Sequence, residues 1–223
     1  MNSFSHFTWR YYQELFSDKR LILIVVETFF LAFLSAFLAT AIGLFGALYI
    51  AELKKKKQAS ILGLNNILMV SPDVMIGASF LILFTMINFK LGFLSVLLSH
   101  IAFSIPIVVL MILPRIQEMD WAMVDAAYDL GASRLQTLRE VILPYLTPAI
   151  ISGYFMAFTY SLDDFAVTFF ITGNGFTTLS VEIYSRARQG ISLEINALST
   201  LVFLFSIILV VGYYFISRGD EDA

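Results

Sequence analysis

Three carboxylates stand deep inside segments otherwise apolar enough to cross a membrane, and a fourth, Glu27, lies near the start of the first. Asp73 follows Ser71-Pro72, and Asp163 and Asp164 lie within Ser161-Leu162-Asp163-Asp164-Phe165. A carboxylate in lipid costs about 2.5–3.5 kcal/mol on insertion scales, so such residues face a pathway, a partner helix or water. No lysine or arginine occurs within the same segments to balance them. The chemistry open to them is therefore recognition of a cation. At about 1.5 Å of rise per residue, Asp73 lies about 15–20 Å in from the nearer end of its segment and Asp163 about 27 Å in from Tyr145. Both depths fall between the middle and the outer leaflet, where the acids could form one belt around a cation path. Tyr160, Phe165 and Phe169 could add aromatic faces for cation–π contacts, or a gate. The plainer readings stay open. Pro72 could break its segment and leave Asp73 at the positive end of a half-helix. Asp163 and Asp164 could sit in a water-filled vestibule, and the aromatics could be packing. His100, between Ser99 and Ser104, reads as a packed, hydrogen-bonded residue rather than a ligand.

Covalent and metal chemistry find little material. The chain has no cysteine, which excludes disulfides and thiolate sites, and only two histidines, His6 and His100. No catalytic or metal-ligating set is expected. The formal net charge of −3 gives no reason to expect a nucleic-acid partner.

These acids need helices to position them. Of the 223 residues, 59% are hydrophobic and 14% charged, against about 45–50% and about 25% in soluble domains. The bilayer must serve as solvent for much of the chain. A spanning helix needs roughly 20 mostly apolar residues. Five segments qualify: 21–51, 62–89, 91–113, 145–172 and 195–217. The polar region 114–144 separates the third from the fourth. We expect an all-α membrane protein with about five spans, organised as an external lead-in (1–20), a transmembrane domain (21–217) and a cytoplasmic tail (218–223). Residues 1–20 are polar and aromatic and do not read as a removable signal peptide. Lys54 to Lys57 follow the first span directly, which places them in the cytoplasm and the N terminus outside. Ala32, Ala36, Ala39, Gly43 and Ala47 recur along the first span at steps of three and four, a small face that lets helix backbones approach closely.

The region 114–144 is polar yet helical in pattern. Asp120 can cap a short helix from Trp121 to about Leu130, and Gly131 suits the left-handed turn that ends it. Ser133 and Gln136 fit a capping box for a second helix, expected to end near Leu143, where Pro144 leads into the fourth span. The result is a helix–turn–helix held to a membrane helix.

Asp125-Ala126-Ala127, Gly131, and then Val141, Leu143 and Pro144 match the E-A-A-x3-G-x9-I-x-L-P spacing of permeases of ATP-binding-cassette (ABC) importers, with Asp for Glu and Val for Ile. Further segments resemble the spermidine/putrescine branch of that family: Ser71-Pro72-Asp73, Ser99-His100, Asp129-Leu130-Gly131, Ser161-Leu162-Asp163-Asp164, Ile183-Tyr184-Ser185 and Glu194 with Asn196. The resemblance covers nearly the whole chain. It implies the type I importer fold in a bacterial cytoplasmic membrane, with Trp121, Asp125, Ala126, Ala127, Asp129 and Gly131 in a coupling helix that docks on an ABC ATPase. It also implies a second, PotB-like permease, an external polyamine-binding protein, and Asp73 and Asp163 on the substrate path. The chain has no G-x4-G-K-[ST] phosphate loop. ATP and Mg are therefore expected on a separate ATPase chain, with no cofactor here. Permeases of that branch begin with an additional span before the region of Phe7, so a chain shortened at its N terminus is expected. The rival readings are an importer permease for another small solute, an ion-coupled secondary carrier using Asp73 and Asp163, and a membrane assembly protein.

Overall fold

A computed structural model describes residues 9–190, 196–204 and 207. Its contacts divide into two compact units, residues 1–26 with 181–223, and residues 27–180. The elements are α1 (Arg10–Ser17), α2 (Lys19–Glu52), α3 (Lys55–Val70), α4 (Asp73–Met86), α5 (Phe93–Glu118), α6 (Ala122–Asp129), α7 (Arg134–Thr137), a π-turn (Leu138–Ile142), α8 (Leu143–Asp163), α9 (Ala166–Ile171) and α10 (Leu179–Gln189).

In the smaller unit, charges tie α10 to the start of α2. Arg186 donates to Asp18 Oδ2 at 2.9 Å and to Glu182 Oε1 at 2.8 Å, and Arg20 lies 3.5 Å from Glu182. Asp18 Oδ1 also accepts from the Leu21 N–H at 3.0 Å, capping the first turn of α2. The bond from Arg186, then that from Leu21, holds the Asp18 carboxyl below its usual range. Burial works to lower the Arg186 value, but its bonds to Glu182 and Asp18 outweigh that and raise it.

The larger unit is built on helix packing. Ala32, Ala36, Ala39 and Ala47 are fully buried, and a side chain at Gly43 would lie 2.6 Å from Val108 Cγ1. The small face of α2 thus lets α5 approach, as the spacing predicts. One core cluster joins α2, α5 and α8 through Leu44, Val108, Ile112, Leu146 and Phe158. A second joins α2, α4, α5 and α9 through Leu31, Phe84, Val96, Phe103 and Ile171. Gly77 brings α4 onto α9: a Cβ there would meet Val167 Cα and Phe170 Cδ2 at 2.9 Å.

Three helices are long and apolar enough to cross a membrane alone: α2, α5, and the 30-residue run from Arg134 to Asp163. The 62–89 segment is not one straight span. It begins earlier, at Lys55, and α3 and α4 meet at a bend of 103°. Pro72 explains the bend, because it lacks an N–H and pushes Ser71 (ψ 138°) out of the helical region. The depth reckoned for Asp73 along a straight rod therefore does not apply. The 145–172 segment also departs from expectation: α8 stops at Asp163, Asp164 is extended (φ −60°, ψ 124°), and a short α9 follows. The fifth segment, 195–217, lies mostly outside the described residues. Three single helices plus the bent pair make up to four spans among the described residues.

The 114–144 region holds the predicted helix–turn–helix. The Ala122 N–H donates to Asp120 Oδ1 at 3.0 Å. Gly131 has φ +86°, its N–H reaches the Tyr128 carbonyl at 2.9 Å, and the Ala132 N–H reaches the Ala127 carbonyl at 3.0 Å. That pair of bonds is the Schellman motif, which a residue with a side chain would strain. The Ser133–Gln136 capping box forms in both directions, at 2.8 and 3.4 Å. One expectation fails. The second helix does not end near Leu143 but runs through the π-turn into α8 without interruption. The wider π-turn accommodates Pro144, whose ring and missing N–H would break a regular helix. Arg115 of α5 sits 4.3 Å over the Tyr145 ring at this junction.

Candidate functional site

Asp73, Asp163 and Asp164 lie at helix breaks, whereas Glu27 lies within α2. Asp73 opens α4, where the unpaired N–H groups of a helix start favour negative charge. The Tyr160 hydroxyl, 87 residues away on α8, donates to Asp73 Oδ1 at 3.2 Å. Asp73 is otherwise exposed. Asp163 closes α8 with an exposed side chain, within electrostatic range of both Asp73 and Asp164.

Asp164 is held differently. Its side chain is only 7% exposed. Oδ2 accepts from the Thr168 N–H at 2.8 Å and the Thr168 hydroxyl at 2.7 Å, and Oδ1 accepts from the Val167 N–H at 3.3 Å. These bonds cap α9 and hold the chain in its break. His100 Nε2 lies 2.9 Å from Thr168 Oγ1 and 3.5 Å from Asp164 Oδ2, and its Nδ1 lies 2.7 Å from Ser161 Oγ. Ser161 in turn meets Ser35 Oγ at 2.9 Å. A buried chain of polar groups therefore links α2, α8, α5 and α9 and ends on the Asp164 carboxylate. Directions can be assigned consistently with neutral imidazole. Ser35 donates to Ser161, Ser161 to His100 Nδ1, His100 Nε2–H to Thr168, and Thr168 to Asp164, with each hydroxyl donating once.

The expected pathway residues thus divide. Asp73, Tyr160 and Asp163 come together with accessible side chains, whereas Asp164 turns into the protein. Tyr160 also packs edge-on against Phe103 at 4.9 Å. Phe165 and Phe169 sit one turn apart with centroids at 5.4 Å, and Phe169 is exposed. His100 is packed and hydrogen-bonded, as its sequence context indicates. Its pairing with Asp164 was missed there. The available signal was energetic: a histidine and a carboxylate in different apolar segments are each costly alone.

On the helix–turn–helix, Val124 alone of residues 121–131 is buried, anchoring α6. Trp121, Asp125, Ala126, Asp129 and Gly131 are exposed, Ala127 is half-buried, and Leu130 is 89% exposed. Among the described residues, no group of three or more acids, histidines or cysteines could hold a metal ion.

Residues 39–218 match the family model of the binding-protein-dependent transport system inner membrane component. The chain is 37% identical to the spermidine/putrescine transport system permease protein PotC of Haemophilus influenzae, over 98% of this chain and 85% of that protein. It is 36% identical to PotC of Escherichia coli, over 95% and 80%. It is 32% identical to the putrescine transport system permease protein PotI of Escherichia coli, over 96% and 79%. Its fold is similar to that of a chain of the inward-facing MetNI methionine ABC transporter, with a TM-score of 0.69, 18% identity, and coverage of 87% of this chain and 95% of that one. The architecture is thus that of a type I importer permease. The chain belongs to the binding-protein-dependent transport system inner membrane component family and is a multi-pass inner-membrane permease.

Proposed function

We propose that this chain is a permease subunit of an ATP-driven importer of polyamines, spermidine or putrescine. The observation that carries the reading is the accessible pair Asp73 and Asp163 at two helix breaks, with Tyr160 bonded to Asp73 and, among the described residues, no ion pair to either acid. Polyamines are flexible polycations, and spaced carboxylates beside aromatic faces suit them. The names of the PotC and PotI relatives support the same substrate class. Asp73, Asp163 and Tyr160 line the path, with Phe165 and Phe169 as a hydrophobic gate. Asp164 acts in that path through the shape of the break rather than by contact.

The chain performs no covalent chemistry. Separate ATPase subunits bind ATP and Mg, and Trp121, Asp125, Ala126, Ala127, Asp129 and Gly131 form the surface on which one of them docks. A second permease completes the pore, and an external binding protein delivers the polyamine. ATP binding draws the ATPases together and displaces the coupling helix. Since α7, the π-turn and α8 are continuous, that displacement reaches the Asp163 end of α8 and switches access to the site.

The test is uptake of labelled spermidine by cells lacking their own system, with partner subunits supplied. The intact chain is compared with Asp163→Asn at equal membrane abundance. Uptake by the first and a loss of about tenfold in the second, equivalent to about 1.4 kcal/mol, is the expected result. Uptake that excess unlabelled polyamine does not compete, but another solute does, overturns the substrate class. Uptake that persists without ATP overturns the importer reading in favour of an ion-coupled carrier.

A further inference from the structure

A second charged region has no part in this path. Lys54, Lys55, Lys56 and Lys57 are all exposed at the turn between α2 and α3. Among the described residues, none of their ammonium groups enters an ion pair or a hydrogen bond. Two of the four line a cleft of about 460 Å³, together with Tyr49, Leu53, Ser60 and Ile61. That volume falls in the range of small-ligand sites, about 300–1,000 Å³. The lining is of two kinds. Lys56, Lys57 and the Tyr49 hydroxyl can donate to an anion, whereas the Ser60 hydroxyl donates to the Lys56 carbonyl at 3.0 Å and Leu53 and Ile61 are apolar.

The depth of the cleft follows from helix geometry. Tyr49 lies about 42 Å along α2 from Leu21, close to the full bilayer thickness of about 40–45 Å with headgroups. With the first span starting at Leu21 on the outer face and α2 along the membrane normal, the cleft falls at the level of the cytoplasmic headgroups. Two exposed apolar rows lead from it. Ile42, Phe45 and Tyr49 share one face of α2, and Ile61, Leu64 and Leu68 share one face of α3, each at spacings of three and four.

We propose that this cleft binds the phosphodiester headgroup of an anionic phospholipid of the inner leaflet. Lys56 and Lys57 hold the phosphate, Tyr49 adds a hydroxyl bond, and the acyl chains lie along the two apolar rows. General attraction of lysines to an anionic membrane needs no cleft. This arrangement adds one, with donors converging beside apolar surface, as in basic pockets between membrane helices that hold acidic lipid headgroups. The site is independent of the transported solute. Its occupancy would set where the α2–α3 corner sits in the membrane.

The test uses the full chain in the assembly in which it is purified, reconstituted in nanodiscs of phosphatidylcholine with or without phosphatidylglycerol. Co-purified lipid is then counted by native mass spectrometry after mild detergent extraction. Two double variants with equal charge loss are compared, Lys56→Gln/Lys57→Gln in the cleft and Lys54→Gln/Lys55→Gln beside it. A basic side chain near an anionic surface is worth about a factor of five. Loss of general surface attraction alone lowers phosphatidylglycerol retention by about 25-fold for either pair, whereas the cleft requires the loss from Lys56→Gln/Lys57→Gln to be several times larger than that from Lys54→Gln/Lys55→Gln. Equal loss in both variants reduces the feature to general surface charge and overturns the proposal. Unchanged retention in both also overturns it. So does loss of a partner subunit from the cleft variant with lipid retention intact, since the lysines would then serve an acidic protein surface.

Discussion

Two helix breaks in the same unit treat their acids in opposite ways. At Ser71–Pro72 the break is made by a proline, and Asp73 is left exposed with one bond, from Tyr160. At Asp164–Phe165 no proline is present. The break is held by Asp164 itself, buried and bonded to Val167 and Thr168, with His100 behind it. A proline breaks a helix by removing a donor, so the nearby carboxylate keeps its acceptor capacity for something else. A carboxylate that makes the break spends that capacity on the backbone. Adjacent Asp163 and Asp164 show the same contrast within one dipeptide, because an extended residue between α8 and α9 sends consecutive side chains in different directions.

The strongest way to break this contrast is Asp164→Ala. It orphans the Thr168 N–H, the Thr168 hydroxyl and the Val167 N–H in a buried site, and should destabilise the protein by about 3 kcal/mol. Unfolding in a denaturing-detergent titration measures this, and a stability near that of the parent would end the structural reading of Asp164. Asp163→Asn should change stability by less than about 0.5 kcal/mol while lowering uptake. If the stability loss fell on Asp163 and the uptake loss on Asp164 in folded protein, the two roles would be reversed. Tyr160→Phe sharpens the picture at the other break. It removes one partly exposed bond, worth about 1 kcal/mol or less, and should raise the KM for polyamine two- to fivefold, about the change that energy allows. An unchanged KM would detach Tyr160 from the site.

The smallest effect concerns a third way of holding an acid, the half-buried ion pair of Asp18 with Arg186 in the smaller unit. The folded carboxyl titrates below its usual range. Its contribution is therefore present above the unfolded value of about 3.9 and fades as pH falls through the lower folded value. Solvent limits that contribution to under about 1 kcal/mol. Asp18→Asn should remove this part of the acid dependence of stability and little else, and a parallel curve for parent and variant would show the pair contributes nothing.

The legible parts of the fold are those whose signals are local. The cap at Asp120, the left-handed Gly131 and the Ser133–Gln136 box each involve residues within four or five positions, and all three form. The close face of α2 was legible because periodicity marks it. The breaks were harder. Pro72 signalled one, though not its angle. The other depends on Asp164 finding Thr168 and His100, and the latter is 64 positions away in another helix. Nothing within a single apolar segment separates Asp163 from Asp164. The path through Leu143–Pro144 was misjudged because a proline there ordinarily ends a helix, and a π-turn just before it is a remedy without a sequence signature.

That π-turn has a mechanical consequence. The run from Arg134 to Asp163 is 30 residues, about 45 Å of rod. A tilt of about 5° at its base would sweep the far end through about 4 Å, more than the length of a hydrogen bond. α8 carries Pro148 within it, and the widened turn lies near the base of the rod, beside the Arg115–Tyr145 contact with α5. Under the proposed docking of the ATPase on the helix–turn–helix, a small displacement at that end would give a larger one where Asp163 sits.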